Sequence, residues 1–274
     1  MVQKNILASI LINNFNNQKY INRCLKSCLN QSYRNFEIII HDDCSNDKSK
    51  NIIKNIKNKR IKKIFNKSKK FNSSALNQFN AIRKSFLKSK GEIIFILDGD
   101  DQFLKNKLNL IIRKFIQNDK LNFLQDNPVY FYPEQNHKVK RKLKNKTFVL
   151  HTWPYFNTTS TMVFRRSFFK KLLIDLNFSN KDYGLMFFDA RAFIYIYFFE
   201  KNYLLINDHL TLYTQNLKGD TLRYYNEKNS NWWKRRFEYH RFVSNLFRKK
   251  NKFHFKFIDY FLTYLVNFLL KKFK

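Results

Sequence analysis

Acidic residues are scarce in this chain: 20 Asp and Glu stand against 53 Lys and Arg in 274 residues, a formal charge of +33. Their placement therefore carries information. Asp42 and Asp43 follow the apolar run 36–40, and Asp98, Asp100 and Asp101 follow the run 93–97. Carboxylates spaced D-x-D on a turn can reach one divalent ion, and their hard oxygens favour Mg²⁺ or Mn²⁺ over Zn²⁺. In a sheet of parallel strands, ligands sit beyond the carboxyl ends of the strands, so both clusters would converge on one sheet edge. That convergence is self-repulsive unless a cation or the donors of a bound ligand offset it. Asp is also common in turns and helix caps, which is the plainer reading of each cluster.

The elements that must position these groups alternate along the first half of the chain. Residues 6–13 read as a buried strand. Residues 18–31 read as a helix whose apolar face carries Ile21, Cys24, Leu25, Cys28 and Leu29. Strands at 36–40, 61–65 and 92–97 are separated by helices at about 48–58 and from Ser73 or Ser74 to Ser89, with Gly91 where a helix C-cap is expected. A helix with Leu108, Ile111, Ile112 and Phe115 follows. This rhythm predicts an α/β fold, a mostly parallel sheet flanked by helices. Residues 121–165 look less regular, and 138–146, with six Lys or Arg in nine positions, read as a solvated loop. Helices are expected around 168–173 and 189–199 and a strand at 203–205, with His209 a polar residue at a strand edge. Beyond 216 the rhythm fades, which divides the chain into an α/β domain (1–216) and a basic, aromatic, helical extension (217–274).

Hydrophobic residues at 44% and aromatics at 18% can build a sizeable core, while four Gly and three Pro exclude collagen-like and Pro-rich architectures. Cys24, Cys28 and Cys44 are too few for a disulfide framework; the first two read as core residues, and a reducing, cytoplasmic setting is expected. The first residues lack a secretory signal, and no window holds 18 uncharged apolar residues; the nearest, 257–270, is interrupted by Asp259. Part of the charge reflects a composition rich in Lys, Asn, Ile and Phe. What survives is attraction to polyanions, including nucleotide phosphates and anionic lipid head groups. In the extension, Phe257, Phe261, Leu265, Phe268 and Leu269 share a helical face that ends in Lys271, Lys272 and Lys274. Such a face suits a membrane interface, a peripheral attachment, or packing on the parent domain or on a second subunit.

Four segments in order are recognisable: Ile12-Asn13-Asn14-Phe15-Asn16, Gln31-Ser32-Tyr33-Arg34-Asn35-Phe36-Glu37-Ile38-Ile39, Asp42-Asp43-Cys44-Ser45-Asn46-Asp47, and Gly91-Glu92-Ile93-Ile94-Phe95-Ile96-Leu97-Asp98-Gly99-Asp100-Asp101. Together they resemble the family 2 glycosyltransferases, inverting nucleotide-sugar enzymes of the GT-A fold, densely over 6–115 and more weakly to about 216. The resemblance implies that Asp43 accepts a hydrogen bond from the nucleotide base, typically uracil, and that Asp42 shapes its turn. It groups Asn14, Asp42, Asp43, Asn77 and Asp98 as the nucleotide-sugar contacts. Asp98 and Asp100 become ligands of Mn²⁺ or Mg²⁺, Asp100 the direct one, with Asp101 structural. It places the base that deprotonates the acceptor hydroxyl at Asp189, with Asp182 and Asp175 as competitors and Arg191 pairing with Asp189 or with phosphate. Many relatives carry a Tyr-Arg-x-His element; here Tyr213 is kept, but Thr214 and Asn216 replace the Arg and His. Residues 153–161 look like a stretch lining the acceptor side. The implied reaction moves a sugar from a nucleotide sugar, typically UDP-linked, to a glycan or lipid-linked acceptor in surface-polysaccharide synthesis at the cytoplasmic membrane face. Two alternatives remain: a basic nucleic-acid-binding protein, and a relative that binds nucleotide sugar without transfer.

Overall fold

Runs of uninterrupted apolar residues become strands covered on both faces. β1 (Ala8–Asn14) and β2 (Phe36–Asp42) are buried at every position, and they lie parallel to β3 (Ile61–Phe65) and β4 (Ile93–Asp98) in the order β3-β2-β1-β4. The computed structural model describes residues 5–140, 157–176, 183–215, 230–252 and 257–272. Between the strands run α1 (Ile21–Leu29), α2 (Ser49–Asn55) and α3 (Ser74–Lys88). Alternate residues of each strand feed opposite layers, as the pleat requires. Ile10, Ile12, Ile38, Ile40, Phe95 and Leu97 pack with α1 and α4 (Lys107–Gln117). Leu11, Ile39, Ile94 and Ile96 pack with α3, α5 (Arg166–Asp175), α6 (Phe188–Phe199) and α7 (Ser230–Lys249). Cys24 and Cys28 are free thiols buried in the first of these layers.

Ser73 caps α3 by accepting a hydrogen bond from the Leu76 N–H at 3.2 Å. Gly91, in contrast, is not a helix cap. Ser89 ends α3, and no glycine among the described residues has a positive φ. A Cβ at Gly91 would lie 2.5 Å from the Ser9 nitrogen, so close approach to β1 is what requires glycine there.

The second half departs furthest from expectation. Residues 123–132 form a ten-residue strand, β6 (Phe123–Tyr132), hidden in the sequence by Gln125-Asp126-Asn127-Pro128. Its buried carboxylate is matched from another element: Lys107 Nζ lies 2.7 Å from Asp126 Oδ1, both side chains are 0% exposed, and Nζ also donates to Ser160 O and Thr211 Oγ1. Pro128 sits at a register shift against β9 (Tyr203–Thr214), a strand much longer than the three residues expected. His209 therefore lies inside β9, with Nδ1 3.1 Å from Pro128 O, rather than at a strand edge. With β5 (Gln102–Phe103), β7 (His137–Lys140) and β8 (Met162–Arg165), the described residues form a nine-stranded sheet that continues β4-β8-β6-β9-β5, with β7 on β6. Residues 138–140 thus belong to a strand rather than a loop; 141–146 lie outside the described residues.

Tyr239, Phe242, Val243, Leu246 and Phe247 of α7 join the same cluster as α3, α5 and α6. Position 216 marks a change of sequence rhythm, but the core continues past it. The last helix, α8 (Phe257–Lys272), lies on α7.

Candidate active site

Register brings the predicted groups to neighbouring strand ends. Asn14 pairs with Asp42 across β1 and β2, and Asn13 pairs with Asp98 across β1 and β4. The strand order reverses direction at β1, and the crevice beyond β1 and β4 is where such sheets take ligands. Asn14 Nδ2 donates to Asp42 Oδ2 at 2.8 Å, and Asp42 also accepts from the Ser45 N–H and hydroxyl. Asp42 therefore ties its own turn to the end of β1. Asp43 is buried beside it. Asn66 Nδ2 donates to Asp43 Oδ1 at 2.7 Å and Lys84 Nζ donates to Asn66 Oδ1, which fixes the orientation of the carboxylate. Asn77 spends both ends of its amide on Phe71, accepting from its N–H and donating to its carbonyl, so it pins the loop before α3.

The D-x-D turn is held from three sides. Ser160 Oγ accepts from the Asp98 N–H at 3.0 Å and donates to Asp101 Oδ2 at 2.6 Å, while Asp101 Oδ1 accepts from the Thr214 N–H. Asp101 is fully buried and serves the turn. Arg23 of α1, stacked 4.4 Å over the Tyr20 ring, donates to Thr214 Oγ1 and to the Asp100 carbonyl, which Thr214 Oγ1 also reaches at 2.6 Å. A Cβ at Gly99 would come within 2.7 Å of Asn14 Oδ1, so a larger residue there would have to displace the Asn14 amide. Burial, then the neighbouring Asp100 carboxylate, pushes Asp98 up to about 7, against hydrogen bonds from Gln78 and Asn13; Asp189 adds to the rise. Burial also raises Asp100 and Asp101, with the Arg23 charge opposing the rise at Asp100.

Asp189 stands in the first turn of α6, with Oδ1 accepting from the Ala190 N–H at 2.7 Å. Its repulsion of Asp98 places it within electrostatic reach of the D-x-D turn. The link is Gln78 of α3: Nε2 donates to Asp98 Oδ1 at 3.2 Å, and Oε1 accepts from the Phe188 N–H at 3.2 Å. Burial raises the Asp189 carboxyl, and the charge of Arg235 on α7 opposes that rise. Arg191 does not pair with Asp189. It is buried, and its guanidinium donates to the Met186 and Tyr183 carbonyls of the loop entering α6. Glu238 of α7 holds the same loop by accepting from the Leu185 N–H at 2.8 Å. Asp175 is taken by Tyr195 Oη and Lys250 Nζ, and these contacts lower its carboxyl despite burial; Asp182 lies outside the described residues. Of the expected acceptor-side stretch, 153–156 lie outside the described residues. Thr159, Ser160 and Thr161 are buried; Ser160 and Thr161 spend their hydroxyls inside the protein, so these three residues do not line an acceptor surface.

Asn66, Gln78, Arg23 and Arg235 were not among the sequence candidates. Asn66 carried a usable signal, since it follows the carboxyl end of β3 as Asp43 follows β2. The other three sit on helices, where nothing local marks which neighbour they meet.

Among the described residues no group of three or more His, Cys, Asp or Glu is arranged around an ion position. Two carboxylates, Asp98 and Asp100, nevertheless share one half-buried turn, each with a raised pKa. That donor set fits Mg²⁺ or Mn²⁺, which binds through one or two carboxylates and takes further oxygens from substrate phosphates.

Residues 9–173 match the family model described as Glycosyl transferase family 2. An uncharacterized glycosyltransferase of Haemophilus influenzae is 39% identical over 114 residues, 41% of this chain and 43% of that protein. The UDP-Glc:alpha-D-GlcNAc-diphosphoundecaprenol beta-1,3-glucosyltransferase WfaP of Escherichia coli is 36% identical over 121 residues, 44% of this chain and 45% of that one. The matched segments thus span less than half of these relatives' length. In three dimensions S. aureus TarS, solved with UDP, superposes with a TM-score of 0.61 at 17% identity over 88% of this chain and 65% of that one. The mannosyltransferase PcManGT of Pyrobaculum calidifontis, solved with GDP-Man and Mn²⁺, gives 0.55 at 12% identity over 96% and 69%. The fold is of the GT-A type, a curled, mostly parallel sheet flanked by helices with a helical C-terminal region.

Proposed function

The chain belongs to glycosyl transferase family 2, and from that premise we propose that it transfers a sugar from a UDP-sugar, with inversion, to a glycan or lipid-linked acceptor. The observation that carries the reading is the meeting of Asn14, Asp42, Asp43, Asp98 and Asp100 at adjoining strand ends, with Gln78 bridging Asp98 to the first turn of α6, where Asp189 stands. WfaP, by its name, uses UDP-Glc and a diphosphoundecaprenol-linked acceptor, which supports the same chemistry here.

In this reading Asp43 Oδ2 accepts from the imide of the base, with Asn66 holding Oδ1. Asp98 and Asp100 hold Mg²⁺ or Mn²⁺, which when bound offsets charge on the diphosphate. Asp189 takes the proton of the acceptor hydroxyl as that oxygen attacks the anomeric carbon opposite the nucleoside diphosphate. Burial raises the carboxyl and so strengthens it as a base, while the charge of Arg235 opposes that rise. The setting is the cytoplasmic face of an anionic membrane, where a lipid-linked acceptor resides and where so cationic a chain is attracted.

A thermal-shift panel of UDP-, GDP- and TDP-sugars, with and without Mn²⁺, tests donor and metal together. A UDP-sugar should raise Tm, more so with Mn²⁺, and Asp100→Ala should abolish the Mn²⁺ increment. Equal shifts with every nucleotide, or none with any, would overturn the donor assignment. Steeply salt-dependent RNA or DNA binding indifferent to Asp100→Ala would favour the nucleic-acid alternative.

A further inference from the structure

α8 is built inside out. Thr263 and Asn267, among its described polar side chains, point at the protein: Thr263 is fully buried and accepts from Arg236 Nε at 3.2 Å, and Asn267 Nδ2 donates to the Trp233 carbonyl of α7 and to Thr263 O. Its large apolar residues point away. Phe261, Leu262, Tyr264, Leu265, Phe268 and Leu269 are each between 41 and 53% exposed. At 3.6 residues per turn these six cover roughly 160° of the helix. An amphipathic helix on a water-facing surface turns the other way, so this face is made to be covered.

We propose that the outward face of α8 docks on an anionic phospholipid bilayer and lies in its interface. No helix among the described residues is long and apolar enough to cross a membrane, and a face of this width suits a helix lying in the plane of the interface. Charge selects the occupant. From Phe257 to Lys274 the sequence has three Lys and a single acid, Asp259, in a chain of net charge +33. A second copy would bring the same cationic surface against itself, whereas an anionic bilayer offers apolar depth and opposite charge together. The surface also gives the lipid-linked acceptor of the reading above a place to meet the enzyme. It rests on that reading only for its purpose, since vesicle binding needs no sugar transfer.

The test is flotation of the full chain with vesicles of phosphatidylglycerol and phosphatidylcholine in a ratio of about 3:7, against phosphatidylcholine alone, at two salt concentrations. The wild-type protein should float with the anionic vesicles, less so at high salt. Phe261→Ser with Phe268→Ser should weaken partitioning at least about tenfold, with Tm and the UDP-dependent thermal shift unchanged. Leu265→Ser with Leu269→Ser is the second variant, should the first lower Tm. Flotation unaffected by both variants, or absent in the wild type, overturns the proposal. A dimer broken by the same substitutions, without vesicle binding, assigns the face to a second copy. Loss of the nucleotide shift with flotation intact would count against the donor reading alone.

Discussion

At the scale of single residues, the site shows carboxylates set apart by their surroundings. Asp42 is saturated by Asn14 and Ser45, Asp101 by Ser160 and Thr214, and each supports a turn. Asp43, Asp98, Asp100 and Asp189 keep oxygen capacity for a ligand, an ion or a proton. Asp189→Asn should lower kcat about 100-fold or more with nearly unchanged UDP affinity, because an amide cannot accept the acceptor's proton. With Asp189 as the proposed base, which must act deprotonated, kcat/KM should fall as pH drops through its raised pKa. Arg235→Gln removes a charge that favours the carboxylate, so this acid limb should move to higher pH, and Arg235→Lys should restore it. A pH profile of the three proteins decides this. Gln78→Met keeps the bulk but cuts both bonds that tie Asp98 to the entrance of α6. The expected result is a kcat about 10- to 100-fold lower with a smaller change in donor KM; equal losses in both would make Gln78 a donor contact instead.

At the scale of elements, β6 survives its polar centre because α4 reaches across to it. Lys107 and Asp126 form an ion pair with no exposure, and burial raises the Asp126 carboxyl and lowers the Lys107 ammonium in spite of their contact. Desolvation thus outweighs attraction in the pair, and breaking it from one side strands a charge. Lys107→Met should cost about 3–5 kcal/mol in urea unfolding, and adding Asp126→Asn should recover part of that loss. Gly91→Ala tests the β1–β4 approach. Its Cβ would meet Ser9 backbone at 2.5 Å, which cannot relax cheaply, so a loss of about 1–3 kcal/mol is expected.

At the scale of the whole molecule, the C-terminal region is two different things. α7 supplies core residues, holds the loop entering α6 through Glu238, and brings Arg235 to Asp189. α8 adds an outward apolar face. A chain ended at 216 should therefore lose cooperative unfolding and expose its core to a hydrophobic dye, whereas a chain ended at 252 should melt cooperatively. Similar melting of the two would separate α7 from the core.

The sequence by itself determined the first four strands and the carboxylates at their ends. A parallel strand buried on both faces needs an unbroken apolar run, and the polar residue that stops the run must lie at the sheet edge; Asp42, Asp43, Asp98 and Asp100 were legible for that reason. It also marked Asp189 through the family pattern. Only the tertiary structure decided what meets those groups, because contacts between Asn66 and Asp43, Gln78 and Phe188, or Lys107 and Asp126 join residues distant in sequence whose types say nothing of their partners. It alone made β6 a strand, since the lysine that satisfies Asp126 comes from another element. It alone turned the apolar side of α8 outward, because periodicity shows that a helix has two faces, while the neighbours it packs against determine which one is left for solvent or lipid.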